Sequence, residues 1–337
     1  KLGIFSDFAG STLNRVIIGL ITFYGGYQVI KGQMTLGSLA AIMVYLSQLI
    51  GLEWSFARFF QTTALGLVSC QRIARVLDTK TRVVEVKGAE KVEFGKGEVL
   101  FKEVSFGFEG QGSILNRINL DIKGGGHVAL VGPSGCGKTT MLNLILRLYD
   151  PWQGEIIIDG YNIRDLKLSS LREQIGMALQ EPFLLNDTVE RNITYGVDRI
   201  DKKEIVEISK ICGVAEVVVS LPERYQTIIG ENACKISEGQ KQKIAIARAL
   251  LKKPRILILD EAFSSMDSAS EEIIIRNIRK AVGSITLIVV SHRLSAVMSA
   301  DLVYFLKRPD KVIINSAQSL LKNDQEFSEL FAGQPAS

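Results

Sequence analysis

Apolar and polar positions are spread unevenly along the chain. Two apolar runs, VIIGLITFYGGYQVI at 16–30 and LGSLAAIMVYLSQLIGL at 36–52, flank the short polar stretch KGQMT. They predict two helices joined by a tight loop. A bilayer core of about 30 Å takes roughly 20 residues, so both runs are marginal as spans unless their flanks extend them to 13–30 and 36–56. An arginine at mid-membrane costs about 2.5–3.5 kcal/mol, which places Arg15 and Arg58 at the outer ends of such a hairpin and Lys31 in its loop. Arg15, Arg58, Arg72 and Arg75 then share one side, and the positive-inside rule puts both ends of the hairpin in the cytoplasm. Past Phe60, Leu65, Val68, Ile73, Val76 and Leu77 alternate with Gln71, Arg72 and Arg75, predicting an amphipathic cytoplasmic helix. The same runs permit two buried helices of a soluble protein, in which Gln48 and Glu53 would need partners within a core. In the membrane reading these two sit near the interface or line a passage. Residues 1–78 therefore read as a partial transmembrane domain, and 79–97, with mixed charges and three glycines, as a linker.

Residues 98–337 have a different texture. VALV at 128–131, ILIL at 256–259 and SITLIVVS at 284–291 are short unbroken apolar runs, as expected of strands buried on both faces of a parallel sheet. Lys1, Asp7, Arg15, Lys31, Glu53 and Arg58 are the only charges in the first 60 residues; the rest of the 40 bases and 36 acids follow at ordinary globular density. The chain therefore meets two solvents. Its net charge of +4, with signs interspersed, forms no basic stripe, so nucleic acid is not an expected partner. Cys70, Cys136, Cys212 and Cys234 are far apart and the chain has only two histidines, which supports neither a zinc site nor a disulfide framework and fits a reduced compartment. A chain of 337 residues opening at Lys1 without signal-peptide features is expected to be a fragment.

Chemistry enters where strands end. The run at 128–131 feeds into Gly132, Pro133, Ser134, Gly135, Cys136, Gly137, Lys138, Thr139 and Thr140, followed by the helical MLNLILRLY. This is G-x-x-x-x-G-K-[ST] in its strand–loop–helix setting. Glycines let amide N–H groups turn around a polyphosphate, the helix N-terminus adds positive potential, Lys138 reaches the β- and γ-oxygens and the Thr139 hydroxyl ligates Mg²⁺. ILILDE at 256–261 ends in two carboxylates at the ligand-bearing edge of such a sheet, so that Asp260 can face the metal and Glu261 the terminal phosphate. Alone, a strand ending in acids is as well explained by a solvated loop; the phosphate loop upstream favours the functional reading. His292 closes the third strand at the same edge, although a lone histidine is more often structural. Ser237, Glu238, Gly239 and Gln240 open an amphipathic helix whose N-terminus is a second candidate phosphate site. Two helix N-termini for one nucleotide in one domain need an explanation.

The order of motifs resolves it. The phosphate loop, LQEPFLLNDTVERNI at 179–193, ISEGQKQKIAIARALL at 236–251, ILILDEAFSSMD at 256–267 and VSHRLSAV at 290–297 together resemble the ATP-binding-cassette (ABC) ATPases. The hairpin, with YGGYQVIKGQMTLGSLAAIMVYLSQL at 24–49, is similar to the last two spans of an exporter-type ABC half-transporter. The resemblance implies an α/β P-loop NTPase domain preceded by an α-helical transmembrane hairpin. It also implies that Phe108 stacks on adenine, where the family usually has tyrosine, and that Gln180 senses Mg²⁺ and the attacking water. Glu261 would be the general base, His292 a γ-phosphate contact and Asp267 a dimer-contact residue. The segment Ser237–Gln240 would act in trans on the nucleotide of an opposing subunit, which accounts for the second helix N-terminus.

Two departures stand out. Leu-Ser-Gly-Gly-Gln is usual where this chain reads ISEGQ, so Glu238 brings a carboxylate near the partner's γ-phosphate and must point outward or weaken that site. FSSMD at 263–267 replaces Thr-Ser-Ala-Leu-Asp and keeps the aspartate. The expectation is an ATP- and Mg²⁺-dependent exporter subunit, multi-pass in the cell membrane with its nucleotide domain cytoplasmic. It would pair with a second half-transporter to move lipid, drug or peptide cargo. A soluble cassette ATPase acting on nucleic acid or ribosomes, and a regulatory half of a heterodimeric transporter, are the alternatives.

Overall fold

A computed structural model describes residues 2–79, 81–110, 112–197, 200–230, 233, 235–283, 285–332 and 334. Lys1, Cys234 and Ser284, and the side chains of Asp7 and Glu53, lie outside what is described. The chain divides into two compact units, Lys1–Thr81 and Arg82–Ser337.

The first unit is a helical hairpin. α1 (Leu2–Ile30) and α2 (Leu36–Leu77) are joined by a loop in which Thr35 caps α2, its hydroxyl accepting from the Ser38 amide at 3.1 Å. The helices pack directly on each other. Leu39 fills the space where a Cβ on Gly25 would stand, and the Thr22 hydroxyl approaches the Met43 sulfur at 3.8 Å. The expected span 36–56 and the amphipathic helix after it form one continuous helix of 42 residues, about 63 Å long. No proline interrupts the stretch, so nothing local ends the helix before Asp78. Among the described residues, no helix is long and apolar enough to cross a membrane. Length is ample in α2, but Ser47, Gln48, Ser55, Gln61 and Thr62 dilute its apolarity.

The second unit carries two sheets. β1 (Val99–Gly107) is central in an antiparallel sheet, paired with β2 (Ser113–Ile122) on one side and β4 (Gln153–Ile158) on the other, with β5 (Tyr161–Asn162) at the edge. The larger sheet runs β10-β9-β3-β8-β7-β6, from Lys311–Asn315 through Leu302–Arg308, His127–Val131, Thr286–Val290 and Ile256–Asp260 to Ile175–Ala178. All its pairings are parallel except that of β10 with β9. Strands β3, β7 and β8 are buried throughout because both faces are covered. On β7, Leu257 and Leu259 face a core shared with α6 (Lys202–Ile211), α8 (Glu238–Leu251) and α9 (Ser268–Ala281); Ile256 and Ile258 face the core shared with the antiparallel sheet. A third core joins Val131 and Phe305 to Val297 of α10 (Leu294–Met298), Leu320 of α11 (Ala317–Asn323) and Phe327 of α12 (Gln325–Leu330). The phosphate-loop strand β3 is thus held between two of these cores, Val128 and Leu130 facing the one shared with the antiparallel sheet and Ala129 and Val131 the third.

The stretch expected as a linker is anchored from Val84 onward. The Phe94 amide donates to Gln174 Oε1 at 2.6 Å, and the Val84 carbonyl accepts from Arg147 at 3.1 Å. Arg147 is 1% exposed; its guanidinium also meets Asp150 and the carbonyls of Ile163 and Leu166, so each nitrogen of a buried charge has a hydrogen-bond partner.

His127, at the start of β3, is 2% exposed and neither ring nitrogen has a hydrogen-bond partner among the described residues. Burial, then the nearby Arg279, lowers its pKa to about 4 against the opposing pull of Asp301. The unfolded chain protonates this ring near pH 6.5 and the folded chain only near 4, so its contribution is complete above 6.5 and is lost as pH falls towards 4. Between pH 7.5 and 5 the loss is about 2 kcal/mol. Urea melts at the two pH values should show that much less acid destabilisation in His127→Leu; an equal loss in both proteins would exclude the ring as its source.

Candidate functional site

The phosphate loop is shaped by positions that have no room for side chains. α3 (Lys138–Ile145) starts immediately after Gly137, whose φ is +106°, and Gly135 has φ +79°. A Cβ on Gly132 would lie 2.5 Å from the Leu306 carbonyl oxygen, and one on Gly137 2.8 Å from Leu115 on β2. Only glycine satisfies both demands at Gly137. Lys138 is buried, and its Nζ donates to the carbonyls of Gly132 at 2.7 Å and Pro133 at 3.0 Å. The ammonium therefore sits inside the loop curve, held by acceptors that phosphate oxygens can replace. Thr139, Ser134 and Pro133 are exposed and Thr140 is buried. Burial pushes the Cys136 thiol up against the opposing charge of Lys138, so Cys136 stays a neutral filler beneath the loop.

Two carboxylates stand at the end of β7. Asp260 is 8% exposed; burial, then the charge of Glu261, raises its carboxyl above the usual range, while Lys138 pulls it down. Glu261 leaves the strand at φ +50°, a left-handed conformation that costs a side-chain-bearing residue of order 1 kcal/mol. Its amide donates to the Val290 carbonyl at 3.0 Å, pinning it to the end of β8, and its Oε1 lies 3.2 Å from His292 Nε2. Glu261 and His292, 31 residues apart, are thus brought together at the sheet's carboxyl edge. The Thr139 hydroxyl, the Asp260 carboxylate and the Gln180 amide are hard oxygen donors of the kind Mg²⁺ takes alongside substrate phosphates and water. Among the described residues no group of three acidic, histidine or cysteine side chains is arranged to hold a metal ion by itself, and this mode of binding needs none. A buried aspartate with a raised pKa beside a second carboxylate is a place where a cation relieves repulsion. The residues fit the ion.

α8 opens with a capping box: Gln240 N donates to the Ser237 hydroxyl at 3.3 Å and Ser237 N to Gln240 Oε1 at 3.0 Å. Glu238 points outward. Its side chain is 61% exposed and its Oε1 meets Lys241 Nζ at 2.6 Å, one helical turn on. Gly239 lies against the loop after β7, where a Cβ would stand 2.8 Å from the Ser265 carbonyl oxygen. Asp267 caps α9 and accepts from both the hydroxyl and the amide of Ser270, which hold its carboxyl below the usual range. Gln180 is exposed on the loop after β6. No hydrogen bond or ion pair among the described residues joins 237–240 to 132–140 of the same chain.

Phe108 follows β1, half-buried, its ring edge-on to Phe106 and Tyr149 at 5.3 Å each. Tyr149 and Trp152, which complete this aromatic group around Phe106, carry no motif and escape a sequence reading. So do two polar ties. Arg293 joins buried Glu271 (3.3 Å) to the Ser264 carbonyl (3.0 Å), and Gln334 brackets His292, donating to its carbonyl and accepting from the Leu294 amide, both at 2.9 Å.

Residues 115–264 match the ABC transporter family. The ATP-dependent lipid A-core flippase of Syntrophus aciditrophicus is 39% identical over 318 residues, covering 94% of this chain and 53% of that protein. The ATM1-type heavy metal exporter of Novosphingobium aromaticivorans is 34% identical over 338 residues, covering 100% and 55%. A solved structure of a bacterial Atm1-family ABC exporter with ATP bound superposes with a TM-score of 0.76 at 32% identity, covering all of this chain and 59% of that one. The chain spans about half the length of the curated relatives it matches. It belongs to the ABC transporter family.

Proposed function

We propose that this chain is the ATP-hydrolysing subunit of an ABC exporter, working as a pair of cassettes to move cargo across a membrane. The observation that carries the reading is Glu261 beyond Asp260, set at φ +50° with its carboxylate 3.2 Å from His292. There it can take a proton from water aligned on a terminal phosphate. Phosphate oxygens displace the Gly132 and Pro133 carbonyls from Lys138 Nζ, and the amides of 135–139 turn towards them. When bound, Mg²⁺ neutralises phosphate charge, held by Thr139 and Asp260 with Gln180 alongside. Phe108 offers a ring to the base, and His292 a nitrogen to the departing phosphoryl group. Asp267 and the capped segment Ser237–Gln240 serve a second subunit's nucleotide. Lys241 neutralises Glu238, which supports a competent signature over a purely regulatory half.

The hairpin is read as the membrane part, with the nucleotide domain cytoplasmic. Sparse charge supports this, as do hydroxyls that need no water: Thr22, Ser47 and Ser55 donate to carbonyls three or four residues earlier at 2.7–2.9 Å. Polar residues on α2 suit a helix packed in a bundle beside a polar passage. The relatives' names point to lipid, heavy-metal or drug cargo. The expressed chain should stay with membranes through alkaline carbonate, need detergent for extraction, and release phosphate from ATP only with Mg²⁺. A chain that is soluble without detergent and binds nucleic acid would overturn the exporter reading.

A further inference from the structure

Gln242 lies on α8 two residues after the segment 237–240 and is 1% exposed. Its amide nitrogen donates to the Gln180 carbonyl at 3.2 Å and the Ser264 hydroxyl at 2.9 Å, and its oxygen accepts from the Ser265 amide at 3.2 Å. One buried side chain therefore uses three of its four hydrogen-bonding positions on two loops that the sequence separates by more than 80 residues. Among the described residues, it is the one side chain hydrogen-bonded to both. Neighbouring contacts on α8 reinforce each tie: Arg248 donates to the Phe183 carbonyl at 2.7 Å, and Gly239 abuts the Ser265 carbonyl. Between the two loops and α8 lies a cleft of about 370 Å³ lined by Gln180, Glu238, Lys241, Ser264 and Ser265.

We propose that Gln242 is a positioning residue for hydrolysis, locking the Gln180 loop and the Ser264–Ser265 loop to the helix that presents Ser237–Gln240 to the opposite subunit. The inference rests on the exporter reading and deepens it. A subunit's own metal- and water-facing loop is thereby set in register with the surface it offers across the dimer, so that assembling one nucleotide site constrains the other. Gln242 touches no nucleotide, and its loss acts on turnover rather than on binding.

The test uses the full chain with Gln242→Leu, near-isosteric but unable to hydrogen-bond; Gln242→Glu, which keeps an acceptor for Ser265; Ser264→Ala; and the double variant Gln242→Leu with Ser264→Ala. Mg-ATP affinity and KM should stay within about twofold of the unaltered chain, while kcat falls at least about tenfold in Gln242→Leu and is partly restored in Gln242→Glu. Ser264→Ala should lower kcat alone and add nothing to Gln242→Leu, because both break the same tie. An unchanged kcat per folded molecule, a loss carried by KM, or multiplying effects of the two substitutions would overturn the inference. If Gln242→Leu fails to fold, Gln242→Glu and Ser264→Ala with their double variant decide the same question. An unaltered chain that binds ATP without hydrolysing it overturns the reading beneath, and the inference with it.

Discussion

Glu261→Gln should bind Mg-ATP as tightly as the unaltered chain or more tightly, yet hydrolyse it about 10²–10⁴-fold more slowly. Glutamine keeps the shape and an acceptor oxygen for His292 Nε2, 3.2 Å away in the unaltered chain, and the hydrogen bond that residue 261 donates to the Val290 carbonyl comes from its backbone N–H. What disappears is a basic site able to take a proton. A base positioned for proton transfer is worth that range of rate, about 3–5 kcal/mol of barrier. Binding should hold or improve, because one negative charge beside a polyphosphate is removed while Lys138 and the glycine loop are untouched. Single-turnover hydrolysis with equilibrium nucleotide binding checks both halves. Undiminished hydrolysis would remove Glu261 as the base, and a matching loss of binding would mean that the substitution disturbed the loop.

Much of this site was legible because its chemistry is local in sequence. ILILD and TLIVV read as central strands because both faces of β7 and β8 are covered, which leaves unbroken apolar runs with acids or histidine at one end. The glycines of 132–137 announce a turn; in the structure side chains would collide at Gly132 and Gly137, while Gly135 needs glycine for its positive φ alone. β1 and β2 were less visible: inward Ile118, Leu120 and Ile122 alternate with outward Asn119 and Asp121, a weaker signal than an unbroken apolar run, and register shifts at Phe101–Val104 interrupt the pairing. The length of α2 was hidden by a change from apolar to amphipathic composition, which alters the solvent of a helix without ending it. Gln242, Arg293 and Gln334 had no local signal. Each acts on backbone or side-chain groups brought near by the fold, and spacing along the chain does not record such meetings. Glu238 lies between these cases. Its charge marks it in the sequence as a risk, and its partner Lys241, three residues on, was equally readable from the helical repeat.

The central claim is that Lys138 of one chain and Ser237 of another build one site, and the second large effect follows from it. Lys138→Ala destroys the phosphate loop and leaves Ser237–Gln240 intact; Ser237→Arg does the reverse. Dimers of either variant alone should be nearly inactive, since every site contains a damaged half. Co-expressed with different tags and purified through both, the mixed dimer holds one site built from two undamaged halves and one built from two damaged halves. The account predicts ATP hydrolysis by the mixed dimer at up to about half the unaltered rate, far above either variant alone. A mixed dimer as inactive as its parents would contradict it.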